Sequence, residues 1–434
     1  MIEVTGNSQH FLGMPVEVFL RDYWQKKPLL VRQAFPGFVP PLSPEDLAGL
    51  ACEEGPLSRI VTYQRKSDDW QLRTGPFTAD ECPELGHHDW TLLGPDMDKW
   101  DADVAELLRP FSFLPRWRID DIMISFAVEG GSVGPHIDQY DVFLVQAMGR
   151  RNWQIEHKPR HEPAFRPDAD LKLLQEFNAT HSWDLEPGDV LYLPPGYAHH
   201  GVAVDACMTF SVGTRAPSAS EMLVDFAEDL AQTLPEHQRY QDPDLQAAED
   251  PYLIDDHALG RVDAALAVLQ QASPSERRRW FGQFITRYRA SGDVQAGPHH
   301  PTWSEALHRL GEGHALHRHP FARLAWGHDE TGALLHVTGE SHAMKPSDAK
   351  WLCQHARIGA GPSWLSRHLP ESIARVMAQN PNVRFTVDTG FPDRLIGRLR
   401  LGELDVVVGA LPDNRVDPDL RFMRLSSDVI RVVA

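Results

Sequence analysis

The chain has 434 residues, room for about three domains at roughly 100–200 residues each. Hydrophobic residues make up 42% and charged residues 24%, an ordinary globular balance, and no apolar run reaches the ~20 residues that span a bilayer. The net charge of −19 argues against general attraction to nucleic acid backbone and favours a basic partner through long-range steering.

Four cysteines, Cys52, Cys82, Cys207 and Cys353, lie far apart without CxxC spacing. They read neither as a disulfide framework nor as a zinc site. The N-terminal residues lack the basic and apolar regions of a signal peptide, so a reducing cytoplasm is the expected compartment.

In chain order, residues 1–95 form a mixed, proline-punctuated N-terminal flanking region. Residues 96–217 are dense in short strand-like runs, among them "DIMISFAV", "DVFLVQAM", "DVLYLPP" and "MTFSVGT". Gly, Pro and Asp separate them, as in an all-β sandwich or barrel. Within this region, "GPHIDQYD" sets His136 and Asp138 two residues apart, so on a strand both face one side. Alone, the pair also fits a turn-facing histidine and a solvated aspartate. "EPGDVLYLPPGYAHHGV" adds His199 and His200 after a later strand. Two imidazoles and one carboxylate on one face of a metal are the donor set of a mononuclear iron(II) oxygenase. "MGRRNWQI" offers Arg150 and Arg151, either as cations for an anionic co-substrate or as solvated charges of a turn.

Residues 218–292 change period. In "SASEMLVDFAEDLAQTL", apolar residues at 222, 223, 226, 227, 230 and 234 make a helical stripe, with Ser218 or Ser220 as its cap. Such faces need burial, in a dimer interface or as a cover on the β domain. Residues 300–356 predict a helix ("TWSEALHRL"), a β-hairpin and a second helix ("PSDAKWLCQHA"). These are the proportions of a winged helix, but there is no basic run, so direct DNA binding is not expected. Residues 357–434 alternate strands and helices, which predicts βαβ units and a parallel sheet.

The strings "RDYWQKKPLLVRQAF", "DDIMISFAVEGGSVGPHIDQYDVFLVQAMGRRNWQI" and "EPGDVLYLPPGYAHHGVAV", followed by "MTFSVGTRAPS", carry a resemblance. Residues 1–356 are similar to the bacterial ribosomal oxygenases, JmjC-type cupin proteins that act as 2-oxoglutarate-dependent arginyl hydroxylases. The resemblance implies a mainly β protein with a double-stranded β-helix (jelly-roll) core at 96–217, a helical dimerisation region at 218–292 and a winged-helix module at 300–356. It puts His136, Asp138 and His199 on the Fe(II) ligands, leaving His200 beside the site or facing solvent. It puts Arg151 on the distal carboxylate of 2-oxoglutarate and makes Ser211 a further donor to that co-substrate. The implied substrate is an arginine β-carbon in the sixteenth large-subunit ribosomal protein, a basic partner suited to an acidic chain, and the implied assembly is a homodimer. Glu129 and Tyr140, near the metal in sequence, are the expected partners of the substrate arginine.

The same fold also supports histidyl hydroxylation or lysine demethylation. A reading from another class is a non-catalytic cupin regulator, against which an intact triad argues. Residues 357–434 resemble the first half of the effector-binding domain of LysR-type regulators, with Ser363 and Thr389 at the corresponding turns. The resemblance covers only the first half of the cleft, so the expectation is a fused fragment without sensing function, with a sensing or dimerising appendage as the alternative.

Overall fold

The computed structural model describes residues 2–53, 55–243, 245–246, 252–287, 316–317, 321–330, 332–355, 357–358, 407–409, 422–424 and 431–433. The chain divides into two compact units, Met1–Gln238 and Arg239–Ala434.

The first unit is built on thirteen strands among its described residues. They are β1 (Glu3–Thr5), β2 (Leu29–Arg32), β3 (Arg59–Gln64), β4 (Asp69–Thr74), β5 (Trp90–Gly94), β6 (Ile119–Ala127), β7 (His136–Ile137), β8 (Val142–Met148), β9 (Arg151–Pro159), β10 (His181–Leu185), β11 (Val190–Leu193), β12 (Tyr197–Ala203) and β13 (Cys207–Thr214). The large sheet runs β1-β2-β11-β8-β13-β6-β5-β3-β4 and the small sheet β10-β9-β12-β7. From β6 to β13 the strands divide four and four between the sheets, the jelly-roll plan. Strands of the N-terminal region extend the large sheet on both sides.

Alternation explains why both faces of the central strands are buried. On β13, Met208, Phe210 and Val212 join the main core, together with Ile122 and Ile124 of β6. That core also holds Phe19, Leu47, Met97 and Phe111 of the preceding region. The other face of β13 carries Thr209, Ser211 and Gly213, in register with Ser125, Met123 and Asp121 of β6. It looks toward the small sheet, and between the sheets Leu144 and Leu191 of the large sheet form a second cluster with Trp153 and Ile155 of the small one. One strand face therefore builds stability, at about 1.5–3 kcal/mol per buried large apolar side chain, and the other lines a site.

The helix Ala219–Thr233 starts at Ser218, whose side chain accepts from the Glu221 amide while Glu221 reaches back to the Ser218 amide. This reciprocal cap settles the start at Ser218 rather than Ser220.

In the second unit, strands Leu324–Asp329, Gly332–Val337 and Glu340–Met344 form an antiparallel sheet. Helix Pro346–His355 packs on it through Ala349 and Cys353. Helix Pro274–Thr286 belongs with the same sheet: Ser275 donates to Asp329 and the Gly339 amide donates to the Thr286 hydroxyl. The expected helix at 302–310, Ser363 and Thr389 lie outside the described residues.

Of residues 357–434, four short strands are described: Arg357–Ile358, which pairs antiparallel with Leu316–His317, and Val407–Gly409, Phe422–Arg424 and Arg431–Val433, which pair antiparallel with one another. The expectation of parallel pairing does not hold for them. Only residues 425–430 separate the last two, too few for the dozen or more that a parallel crossover requires.

Candidate metal centre

His136 on β7 and His199 on β12 are direct cross-strand partners. Their rings stand 4.2 Å apart, centroid to centroid, and His199 Nε2 lies 3.6 Å from Asp138 Oδ2. One donor atom from each of the three residues falls within 4.8 Å of the others. Asp138 follows His136 by two positions, as the spacing predicts.

Local bonds fix the donors. Nδ1 of His136 lies 2.9 Å from the Gly134 carbonyl, and Nδ1 of His199 lies 2.9 Å from the Tyr197 carbonyl. A carbonyl only accepts, so each Nδ1 carries the proton and each Nε2 keeps its lone pair for a metal. Burial above all, then the neighbouring His136, pushes the His199 imidazole down to about 4, so His199 is neutral at physiological pH. The Pro-Pro-Gly turn has its own part in this geometry. Gly196 adopts a positive φ of 83°, a conformation open to glycine, and its amide donates to the Asp138 carbonyl over 2.8 Å. The turn that delivers His199 is thereby tied to the segment that carries Asp138.

His200 takes the other side of β12. It is half-buried, meets the Phe177 ring edge-on at 6.0 Å, and lines a separate cavity of about 340 Å³ with Trp70 and Leu173. Gly201, next along, faces inward. A Cβ there would stand 2.7 Å from the Trp153 ring, which itself packs 5.8 Å from the His199 ring. Gly201→Ala is therefore expected to cost about 1–3 kcal/mol, read as a lower Tm, and to weaken iron binding in a metal titration.

Arg151 opens β9 and is 5% exposed. Its Nη1 donates to Ser125 Oγ over 3.1 Å, while Nε and Nη2 are buried without a hydrogen-bond partner. Buried donors are almost always satisfied, and among the described residues no acid pairs with this guanidinium. The arrangement fits a carboxylate ligand. Arg150 differs: it is half-exposed and paired with Asp205 at 3.0 Å. Ser211 is buried on the inward face of β13, in register with Met123.

Glu129 follows the end of β6, on the side away from Asp121. Its carboxylate is two-thirds exposed and lies 3.9 Å from His88 Nδ1. Tyr140 is 39% exposed. The charge of Asp138, then burial, raises its phenol above the ordinary range. Sequence reading missed Asp121. Its Oδ1 and the Tyr140 ring lie 3.2 and 4.0 Å from the point where a Cβ on Gly213 would stand. Burial, then the charge of Asp96, pushes the Asp121 carboxyl up to about 7. The signal was present as the "DD" of "DDIMISFAV", in which only the second acid shares the inward face with Met123 and Ser125. The adjoining Asp141 is fully buried and accepts from Tyr192 (2.7 Å), Gln25 (2.9 Å) and Arg118 (3.3 Å). Gln25 belongs to the N-terminal string "RDYWQKKP", which thus braces the turn behind Tyr140.

Comparison with known proteins agrees with this geometry. A family model of the JmjC domain matches residues 106–222, one of the ROXA-like winged helix residues 267–360, and one of the LysR substrate binding domain residues 352–434. The ribosomal protein uL16 3-hydroxylase of Escherichia coli is 39% identical over 302 residues, covering 69% of this chain and 79% of that protein. A probable ribosomal oxygenase of Haemophilus influenzae is 37% identical over 235 residues, 54% of this chain and 55% of its own length. The solved structure of YcfD, an E. coli ribosomal oxygenase in complex with cobalt and 2-oxoglutarate, superposes with a TM-score of 0.65 at 35% identity, covering 79% of this chain and 89% of that one. The two-sheet core, the paired histidines with their aspartate and these similarities together make the chain a member of the JmjC-class ribosomal oxygenases.

Proposed function

We propose that this protein is an Fe(II)- and 2-oxoglutarate-dependent hydroxylase acting on the β-carbon of an arginine in ribosomal protein uL16. The observation that carries the reading is Arg151, a buried guanidinium with two unsatisfied donors on the strand beside the one bearing His199. In this reading His136, Asp138 and His199 hold the iron, Arg151 and Ser125 take the distal carboxylate of 2-oxoglutarate, and Ser211 adds a hydroxyl on the same wall. Iron and 2-oxoglutarate supply the oxidation, in which O₂ and the co-substrate give succinate, CO₂ and one oxygen atom inserted into a C–H bond. The chain's own work is to orient the target and exclude water. The substrate guanidinium meets Tyr140 and Asp121, with Glu129 as a more distant acid on the surface. The E. coli relative that acts on uL16 supports the choice of substrate, as does the charge of −19 facing a basic ribosomal protein.

The assembly proposed is a homodimer, because Leu223, Val224, Leu259 and Leu266 expose apolar side chains on helices of the 218–292 region. Among the described residues no helix is long and apolar enough to cross a membrane; a ribosomal substrate favours the cytoplasm, and the net charge of −19 disfavours DNA.

The test is mass spectrometry of large-subunit ribosomal proteins from cells with and without the gene. The expected result is a gain of one oxygen atom on a single arginine of uL16, lost on deletion. A gain on a histidine instead would replace the reaction, and no difference at all would replace the substrate.

A further inference from the structure

The first three residues after Ile119 on β6 are each held by one short turn, Asp96–Lys99. The Asp96 amide donates to Asp121 Oδ2 over 3.0 Å. Lys99 Nζ donates to the Asp120 carbonyl over 2.8 Å. Asp98 Oδ1 accepts from the Ile122 amide over 2.8 Å. The turn is itself charged and buried: Lys99 and Asp98 side chains are 7% and 2% exposed and pair at 2.8 Å, with Asp96 3.5 Å from the same ammonium. Asp96 adopts a left-handed φ of 58°, uncommon for a residue with a side chain, and this bend aims its amide at Asp121. Burying a lysine among acids carries a desolvation cost that its pairing has to offset.

We infer that the Asp96–Lys99 turn is a positioning and specificity device for the substrate cation: it fixes the rotamer of Asp121, and the Lys99 ammonium favours the charged form of that carboxylate, which receives a guanidinium. The inference rests on the arginine-hydroxylase reading. The groups facing Asp121 are Asp96 and Lys99 from the turn, Asp120 from its own strand and Tyr140 from the turn after β7. Two of these are acids that oppose ionisation, and Lys99 is the cation that favours it. Without that charge, Asp121 holds its proton to higher pH and the pocket loses its attraction for a cation.

The test uses the full-length protein with Fe(II), 2-oxoglutarate and a uL16 peptide containing the target arginine. Wild type is expected to show a peptide KM that falls as pH rises through about 7. Lys99→Gln keeps a donor for the Asp120 carbonyl but not the charge. Its peptide KM at neutral pH is expected to rise about tenfold and to approach wild type as pH is raised. Its kcat and its KM for 2-oxoglutarate are expected to change less than threefold, and Lys99→Arg to restore most of the affinity. A merely structural role would instead lower Tm and kcat together at every pH and leave the pH profile in place; that result, or an unchanged peptide KM in Lys99→Gln, overturns the inference. If Lys99→Gln does not fold, Lys99→Arg carries the test: a peptide KM raised tenfold at all pH values, with iron binding intact, also overturns it. Failure of wild type to hydroxylate the peptide would count against the substrate reading instead, and is visible before any variant is made.

Discussion

Replacing His136, Asp138 or His199 with alanine is expected to bring hydroxylation to background, whereas His200→Ala keeps most of it. Three ligands on one face leave the remaining positions of an iron(II) site open; His136 and His199 come from paired strands, each with its Nδ1 bonded to a carbonyl, and Asp138 follows directly after β7. Losing any one removes a donor that nothing nearby replaces. Among the described residues, no other group of histidines, cysteines and acids comes together in this way. His200 lies on the opposite side of β12, against Phe177. Its truncation removes packing in the outer cavity and so should lower Tm while leaving iron bound. Any fall in activity should stay below the ~10–100-fold seen when a group supporting a metal ligand is lost. Iron content by absorption spectroscopy, alongside peptide turnover, separates the two cases. Loss of iron in His200→Ala with retention in His199→Ala would reverse the assignment.

Arg151→Met should raise the KM for 2-oxoglutarate far more than the KM for the peptide. Loss of the charged partner of a buried carboxylate costs ~2–5 kcal/mol, roughly 30-fold or more in affinity. The same substitution should make the ligand-free protein more stable, because an unpaired buried charge with two idle donors is removed and an apolar side chain of similar length takes its place. Thermal unfolding with and without 2-oxoglutarate reads both effects: wild type gains Tm on addition, while Arg151→Met starts higher and gains nothing. Equal losses for both substrates, or a larger effect from Arg150→Ala, would refute the role. Arg150 is already satisfied by Asp205 at the surface.

Strand periodicity made the pairing of His136 with Asp138 readable in advance, while the choice of His199 over His200 and of Arg151 over Arg150 came from the family resemblance. His136 and Asp138 share a face because they are two apart, and His199 and His200 oppose each other because they are one apart. Arg151 sits where the turn before β9 delivers it inward. What the sequence could not carry was register between distant strands. Asp121 meets Tyr140 only because Gly213 on β13 pairs with Asp121 and leaves room above it. Glu129 is nearer to the triad in sequence, yet it lies past the far end of β6, where the chain bonds to Asp89 and His88 instead. Helix Pro274–Thr286 read as part of a helical segment, since its stripe says that a face is buried but not against what. Its partner, a sheet beginning near residue 324, lies across a stretch that local pattern does not bridge.

The inward wall also has a direction. Arg151 stands at one end of it, beside Ser125, and that end is stopped by Gln146 and Thr209, bonded to each other at 3.0 Å and fully buried. Asp121 and Tyr140 stand at the other, open end. In the proposed hydroxylase the small acid would therefore sit deeper than the peptide, and ordered binding with 2-oxoglutarate first is the expected result of initial-rate kinetics.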